Sequence, residues 1–320
     1  MSTTWRSWHL HIATLAPAAL DSVVTEAVGP VADQLGLLEP DGPLWFFIRY
    51  WQGGPHVRLR IAGLTEAEAG RAEADLADRL LALDAAVPQT QRLDQDAYVR
   101  AVSPLAAAGE RGMPLAAGEL VAPGIRRVAY EPEHERYGGR HLIAQSERLF
   151  HSSSRVALRV CLSRAGTRHG LASCLEATAA ACSVLGGSSP SASRTRFLTA
   201  QRDMWLDWAQ PRDAPVDKAE EIRHQLTERA GEQITALGTL GRWLRETMHT
   251  GDPRWAEWTD PLGAALRLWN AELGSARATR IFGSHVHMTA NRLGAGAGRE
   301  AQTAALLLAA LESTTLTEPA

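Results

Sequence analysis

Hydrophobic and polar positions change their period several times along this chain, and each change marks an element. Trp8-His-Leu-His-Ile-Ala13 alternates apolar and polar residues as a strand does; Pro17 then opens a helical pattern running to about Leu37. Leu44 to Ile61 reads as two strands around a Gly53-Gly54-Pro55 turn. Thr65-Glu-Ala-Glu68 has the form of a capping box and predicts a helix to about Leu83. Residues 85–125 are weakly patterned and carry Pro88, Pro104, Pro114 and Pro123, which predicts a stretch including a mobile loop. Arg127-Val-Ala-Tyr130 predicts a short strand. Beyond it the helical period takes over, predicting helices at His141–Leu162, Arg168–Leu185, Ser193–Trp208, Val216–Met248, Trp255–Leu273 and Glu300–Glu312. Gly186-Gly-Ser-Ser-Pro190 breaks that series. The expected fold class is α+β, as a single domain over residues 1–320. An N-terminal mixed sheet with helices, residues 1–150, packs against a mainly helical half, residues 151–320, that completes one site.

Composition narrows the classes. Hydrophobic residues at 45% and charged residues at 22% are those of a folded, soluble chain long enough for a large core. A net charge of −3 gives no basic excess for direct nucleic-acid binding. The start, Met1-Ser-Thr-Thr-Trp-Arg, lacks the basic and apolar regions of a signal peptide, and no apolar run is long enough for a membrane helix. A cytoplasmic location is expected. Cys161, Cys174 and Cys182 are odd in number, lack C-x-x-C spacing and read as buried thiols. No dinucleotide, Walker or H-E-x-x-H motif is present, and Gly294-Ala-Gly-Ala-Gly298 reads as a helix terminator, so no cofactor is expected. Trp at helical spacing is read as core.

Three clusters carry candidate chemistry. In an extended strand Arg58 and Arg60 emerge from the same face, beside Arg49 and His56 of the same hairpin. Paired guanidiniums repel unless an anion lies between them, and the planar fork suits a carboxylate or phosphate; the plain alternative is a solvated face with ordinary salt bridges. The second cluster is Glu133-His-Glu-Arg136-Tyr137-Gly-Gly139. The third is His285-Val-His287-Met-Thr-Ala-Asn291-Arg292, in which His287 and Asn291 share one face of a helix. His285 and His287 would be a metal pair on a strand, but no third ligand has sensible spacing, and no metal is expected.

Together, W-F-F-I-R-Y with P-H-x-R-L-R, then E-x-x-R-Y-G-G with S-E-R-L-F, then H-M-x-x-N-R-L-G before a closing helix resemble the C-terminal elimination domain of class I lantibiotic dehydratases. The resemblance spans essentially the whole chain, and the chain's length resembles that of the free-standing form of the module, the proteins of thiopeptide-type bacteriocin biosynthesis. It implies a lyase. A partner attaches glutamate from glutamyl-tRNA to Ser or Thr of a precursor peptide, and the elimination domain expels it to leave dehydroalanine or dehydrobutyrine. By motif the family's functional residues fall on Arg58 and Arg60, Glu133 and Arg136, and His287. On this reading His287 is the base for the Cα proton, Arg58 and Arg136 hold the glutamyl group, and Arg60 orients it or balances charge. Glu133 holds an arginine or histidine in place, or is itself acid or base. Arg49 and Asn291 complete the expected substrate-binding set. The implied partners are the precursor's leader and core and the glutamylating protein; a homodimer stays open. One departure is Ser153, in a helix where the family pattern has an aspartate before the serine. Two other readings remain: a pyridine synthase joining two dehydroalanines by a formal aza-[4+2] cycloaddition with leader expulsion, and a non-catalytic subunit that docks a leader along an exposed strand edge.

Overall fold

The computed structural model describes residues 4–109, 114–187, 189–209 and 216–313. Parts of the weakly patterned stretch, Ser188 of the expected break and the first three residues lie outside the described residues. The chain divides into two compact units, Met1–His169 with Asn291–Gly294, and Gly170–Ala290 with Ala295–Ala320.

The first unit is built on a four-stranded sheet in the order β2-β3-β1-β4, formed by β1 (Trp5–His11), β2 (Trp45–Tyr50), β3 (His56–Ala62) and β4 (Gly124–Arg127). The α+β class is the expected one, and each of its strand pairs is antiparallel. Alternation along the strands sends Trp8, Leu10, Trp45, Phe47, Val57, Leu59 and Ile61 to one buried face. Helices α1 (Pro17–Ser22) and α2 (Gly29–Gln34) are joined by a π-helical stretch, Val23–Val28, that gives this face Val23 and Val24. The capping box of α3 (Glu66–Ala85) is present: Thr65 Oγ1 accepts from the Glu68 amide, and a Glu68 carboxylate oxygen accepts from the Thr65 amide at 2.9 Å. The helix buries Ala69, Ala72, Leu76 and Leu80 against the sheet.

Two sequence expectations are corrected here. The fourth strand ends where Arg127-Val-Ala-Tyr130 was expected to begin, because Val128 makes one more bond to Ser7 and the chain then turns to pack the Tyr130 ring on Trp5 and Phe46. The weakly patterned stretch contains a helix, α4 (Gln95–Ala108), capped by Asp94. It buries Tyr98, whose hydroxyl accepts from the Gly53 amide at 2.8 Å, while Val121 donates to the Gly53 carbonyl at 2.9 Å. The described residues of this segment fasten the hairpin turn, where Gly53 and Gly54 sit at φ of 76° and 105°. Helix α5 (Ile143–Ser163) closes the unit along β2.

The second unit is helical: α6 (Gly170–Cys182), α7 (Pro190–Ala209), α8 (Val216–Ala236), α9 (Gly238–Thr250), α10 (Ala256–Leu273), most of α11 (Ser275–Arg292), and α12 (Ala297–Glu312). Helix α12 touches α6, α7, α8 and α9 and is apolar almost all round, from Ala301 to Ala310, as an enclosed helix must be. The single helix expected over Val216–Met248 is two, interrupted at Leu237, whose ψ of 50° leaves the helical region just before Gly238. The three cysteines are buried free thiols, and burial pushes them up, Cys161 to about 11 and the other two to about 12. Among the described residues no helix is long and apolar enough to cross a membrane.

Candidate active site

Strand alternation places His56, Arg58 and Arg60 on the face opposite the core, as the spacing requires. The Arg58 guanidinium lies 3.5 Å from the centroid of the Tyr50 ring, and its Nε donates to His56 Nε2 at 3.2 Å. Arg60 lies between the rings of Phe46 and Tyr130, at 5.2 and 5.0 Å. Its Nε is buried without a hydrogen-bond partner, and it makes no ion pair among the described residues. Burial, with Arg58 beside it, pulls Arg60 down to about 10, while Tyr130, Glu133 and Tyr137 oppose that shift. A half-buried cation with an unmet buried N–H is under-satisfied, and an anion would relieve it.

The second cluster lies in reach of the first. Glu133 and Arg136 pair at 3.2 Å on a turn closed by Tyr137 N to Glu133 O and Gly139 N to His134 O. Gly138 and Gly139 have φ of 92° and 117°, left-handed values that explain the glycine pair after the tyrosine. Tyr137 is buried edge-on to Phe150, and burial pushes its hydroxyl up to about 12. Two residues without an assigned role from sequence belong to the same network. Glu147 is buried, its carboxyl raised by desolvation, and the neighbouring Tyr130 hydroxyl is raised by burial and by the Glu147 charge. Arg292 is buried, with Nε donating to Ser154 Oγ at 2.8 Å, and burial lowers it to about 9.

Arg49 and Asn291 are placed elsewhere, on a structural task. Arg49 pairs with Val57 and so projects to the face opposite Arg58 and Arg60. Its guanidinium meets Asp21 at 2.6 Å and the Arg292 carbonyl at 3.1 Å. Asn291 Oδ1 accepts from the Arg49 amide at 2.8 Å and Nδ2 donates to its carbonyl at 2.9 Å, so one side chain stands in for a neighbouring strand. The outer edge of β2 is filled at alternate residues, since Trp45 N donates to His151 and Phe47 N to Ser154. The Asn291→Ala variant should therefore lower stability by about 2 kcal/mol or more, from two backbone groups left unpaired, read as a lower urea midpoint.

The expected base, His287, belongs to the second unit, on α11. Its Nδ1 is 2.8 Å from Glu300 Oε1, and the ring packs 4.5 Å from Trp205. Because a carboxylate only accepts, Nδ1 donates, and Nε2 is the ring nitrogen through which a proton can come and go. Glu300 is buried in the first turn of α12, where the helix dipole favours a negative charge. In the sequence Glu300 shows only as an acidic residue in the first turn of the helix after the glycine-rich break. His285 stacks on Trp269 at 5.2 Å and, two residues from His287 on a helix, does not face it. Among the described residues the group able to hold a metal is instead His9, His11 and His56.

The first unit is thus a small antiparallel sheet presenting arginines, and the second a helical unit holding a carboxylate-paired histidine. The chain belongs to the family described as lantibiotic biosynthesis dehydratase, C-terminal, whose model matches residues 5–311. That family is one of biosynthetic enzymes. It has the fold of the pyridine synthase TbtD from thiomuracin biosynthesis, with TM-score 0.67, 16% identity, and 96% of this chain and 97% of that one covered. TsrL is similar at TM-score 0.66 and 15% identity, over 97% and 95% of the two chains. The tRNA-dependent lantibiotic dehydratase MibB from Microbispora sp. 107891 matches at TM-score 0.53 and 22% identity; it covers 97% of this chain, which spans 28% of MibB. No curated protein matches the chain.

Proposed function

We propose that this protein removes glutamate from glutamylated Ser or Thr residues of a ribosomal precursor peptide, leaving dehydroalanine or dehydrobutyrine. The observation that carries this reading is Arg60, a half-buried guanidinium whose buried Nε has no hydrogen-bond partner and which makes no ion pair among the described residues, grouped with Arg58, Glu133 and Arg136. Such a group suits a ligand that brings two carboxylates, the free one of the glutamyl chain and the one released from Cβ. His287 takes the Cα proton at Nε2, the Cβ–O bond breaks, the electron pair forms the Cα=Cβ bond, and glutamate departs as its carboxylate. Glu300 orients His287 and stabilises the imidazolium that forms. Glu133 steadies Arg136, and Arg49 and Asn291 act as positioning residues. The glutamate is attached beforehand by a glutamyl-tRNA-dependent partner that also handles the precursor.

A second reading is favoured by the end-to-end match with TbtD, a pyridine synthase of nearly the same extent. The filled edge of β2 counts against a leader docking there as an added strand. The test is mass spectrometry of a glutamylated precursor after incubation with the purified protein. Loss of glutamic acid with gain of a dehydroamino acid is expected. An unchanged glutamylated peptide, together with leader loss from a dehydrated, azole-bearing peptide, transfers the assignment to cycloaddition.

A further inference from the structure

Strand β1 carries His9 and His11 on one face, and the register sets His11 directly opposite His56 of β3. One ring nitrogen from each of the three lies within 4.8 Å of the others. The His11 and His56 rings stack at 4.3 Å, and those of His9 and His56 at 4.7 Å. His56 Nδ1 bonds the Gly54 carbonyl at 2.8 Å, which fixes its proton there and leaves Nε2 as the ligating nitrogen, at present accepting from Arg58 Nε at 3.2 Å. A backbone carbonyl on the remote nitrogen is the usual support of a metal-binding imidazole. His11 is 3% exposed, yet its Nδ1 is buried with no hydrogen-bond partner. Such an unmet group is costly in a folded core, so the site lacks something.

We infer that His9, His11 and His56 form a binding site for a divalent transition-metal ion of the zinc class. Three imidazoles from adjacent antiparallel strands, with a fourth position left open, are a donor set that zinc accepts. Oxygen-seeking magnesium and calcium are unsuited to it. Burial, reinforced by neighbouring arginines, holds all three rings in the neutral form that ligates, His9 at about 3, His11 at about 4 and His56 at about 2. Tetrahedral coordination at 2.0–2.1 Å asks for nitrogens about 3.4 Å apart, so any pair nearer the 4.8 Å bound must close on the ion. His9, the least buried of the three, supplies the movement. Arg58 must also release His56 Nε2.

Arg58, Arg60 and Arg126 all bear on these rings and oppose a bare dication. They favour an anion as the fourth ligand, so the site takes an ion together with hydroxide or a carboxylate. The inference is independent of the elimination reading, and its test needs no turnover. Full-length protein stripped with a chelator is titrated with Co²⁺ in acetate, followed by visible absorption, and dialysed against Zn²⁺ for elemental analysis. One ion per chain and an intense tetrahedral cobalt spectrum are expected. His9→Gln should bind at least ten-fold more weakly while its near-ultraviolet circular dichroism is unchanged. His11→Gln and His56→Gln should follow if they fold, and the partly exposed His9 answers alone if they do not. Absence of a bound ion, or an affinity that His9→Gln leaves untouched, overturns the proposal.

Discussion

His287→Ala is expected to slow elimination by about 10²–10⁴-fold, the usual contribution of a positioned base, and to let glutamylated peptide accumulate. Under the proposed mechanism the effect belongs in kcat, because the histidine would contact the proton in flight and add nothing to the grip on glutamate. Glu300→Gln separates orientation from charge. Its amide oxygen still accepts from Nδ1 and keeps the ring in place, while the negative charge opposite the nascent imidazolium is gone. A loss of about 10–100-fold is expected, smaller than that of His287→Ala, as for other groups that act through a ligand or base. Arg60→Met should act mainly on KM. Single-turnover rates of the three variants, read by mass spectrometry of the peptide, check this order. Near wild-type turnover by His287→Ala would remove the base from the mechanism.

The metal-free protein should be unusually sensitive to mild acid. His9, His11 and His56 are held neutral by burial and by Arg58, Arg60 and Arg126, with folded values of about 3, 4 and 2. In the unfolded chain each titrates near 6.5. Between those values the unfolded state binds more protons, so stability rises with pH there. The contribution is complete above about pH 6.5 and is lost as pH falls from there toward 4. With all three groups counted, the slope approaches about 4 kcal/mol per pH unit. Against a typical total of 5–15 kcal/mol, unfolding should begin within roughly two pH units below 6.5. Urea midpoints from pH 7.5 to 5 measure the slope. The double variant His9→Gln, His11→Gln should flatten it by about two protons' worth, and an unchanged slope would mean that the acid sensitivity comes from other groups.

What could be read in advance was local. A capping box at Thr65, a diglycine turn between two alternating runs, and His287 four residues before Asn291 are short-range patterns, and each stands in the structure. Arg58 and Arg60 share a face for the same reason, since strand alternation needs no partner. The imidazole triangle was invisible because it depends on the register of β1 against β3, which pairs residues 45 positions apart in the case of His11 and His56. Glu300 was hidden behind the glycine-rich turn that brings α12 back to His287. Helix α4 was missed because Pro104 and a run of alanines blur its period, and only Tyr98 and Val102 are buried on it. Arg49 misled through its company: one residue of parity separates the arginine face from the face on which it meets Asp21.

Asn291 closes the edge of β2 from 242 residues away in sequence. On a ribosome adding roughly 5–20 residues per second, that strand waits on the order of 12–50 s for the side chain that finishes it. Until then the growing chain carries an open edge at Arg49, a natural point for a chaperone to hold or for a neighbouring nascent chain to pair.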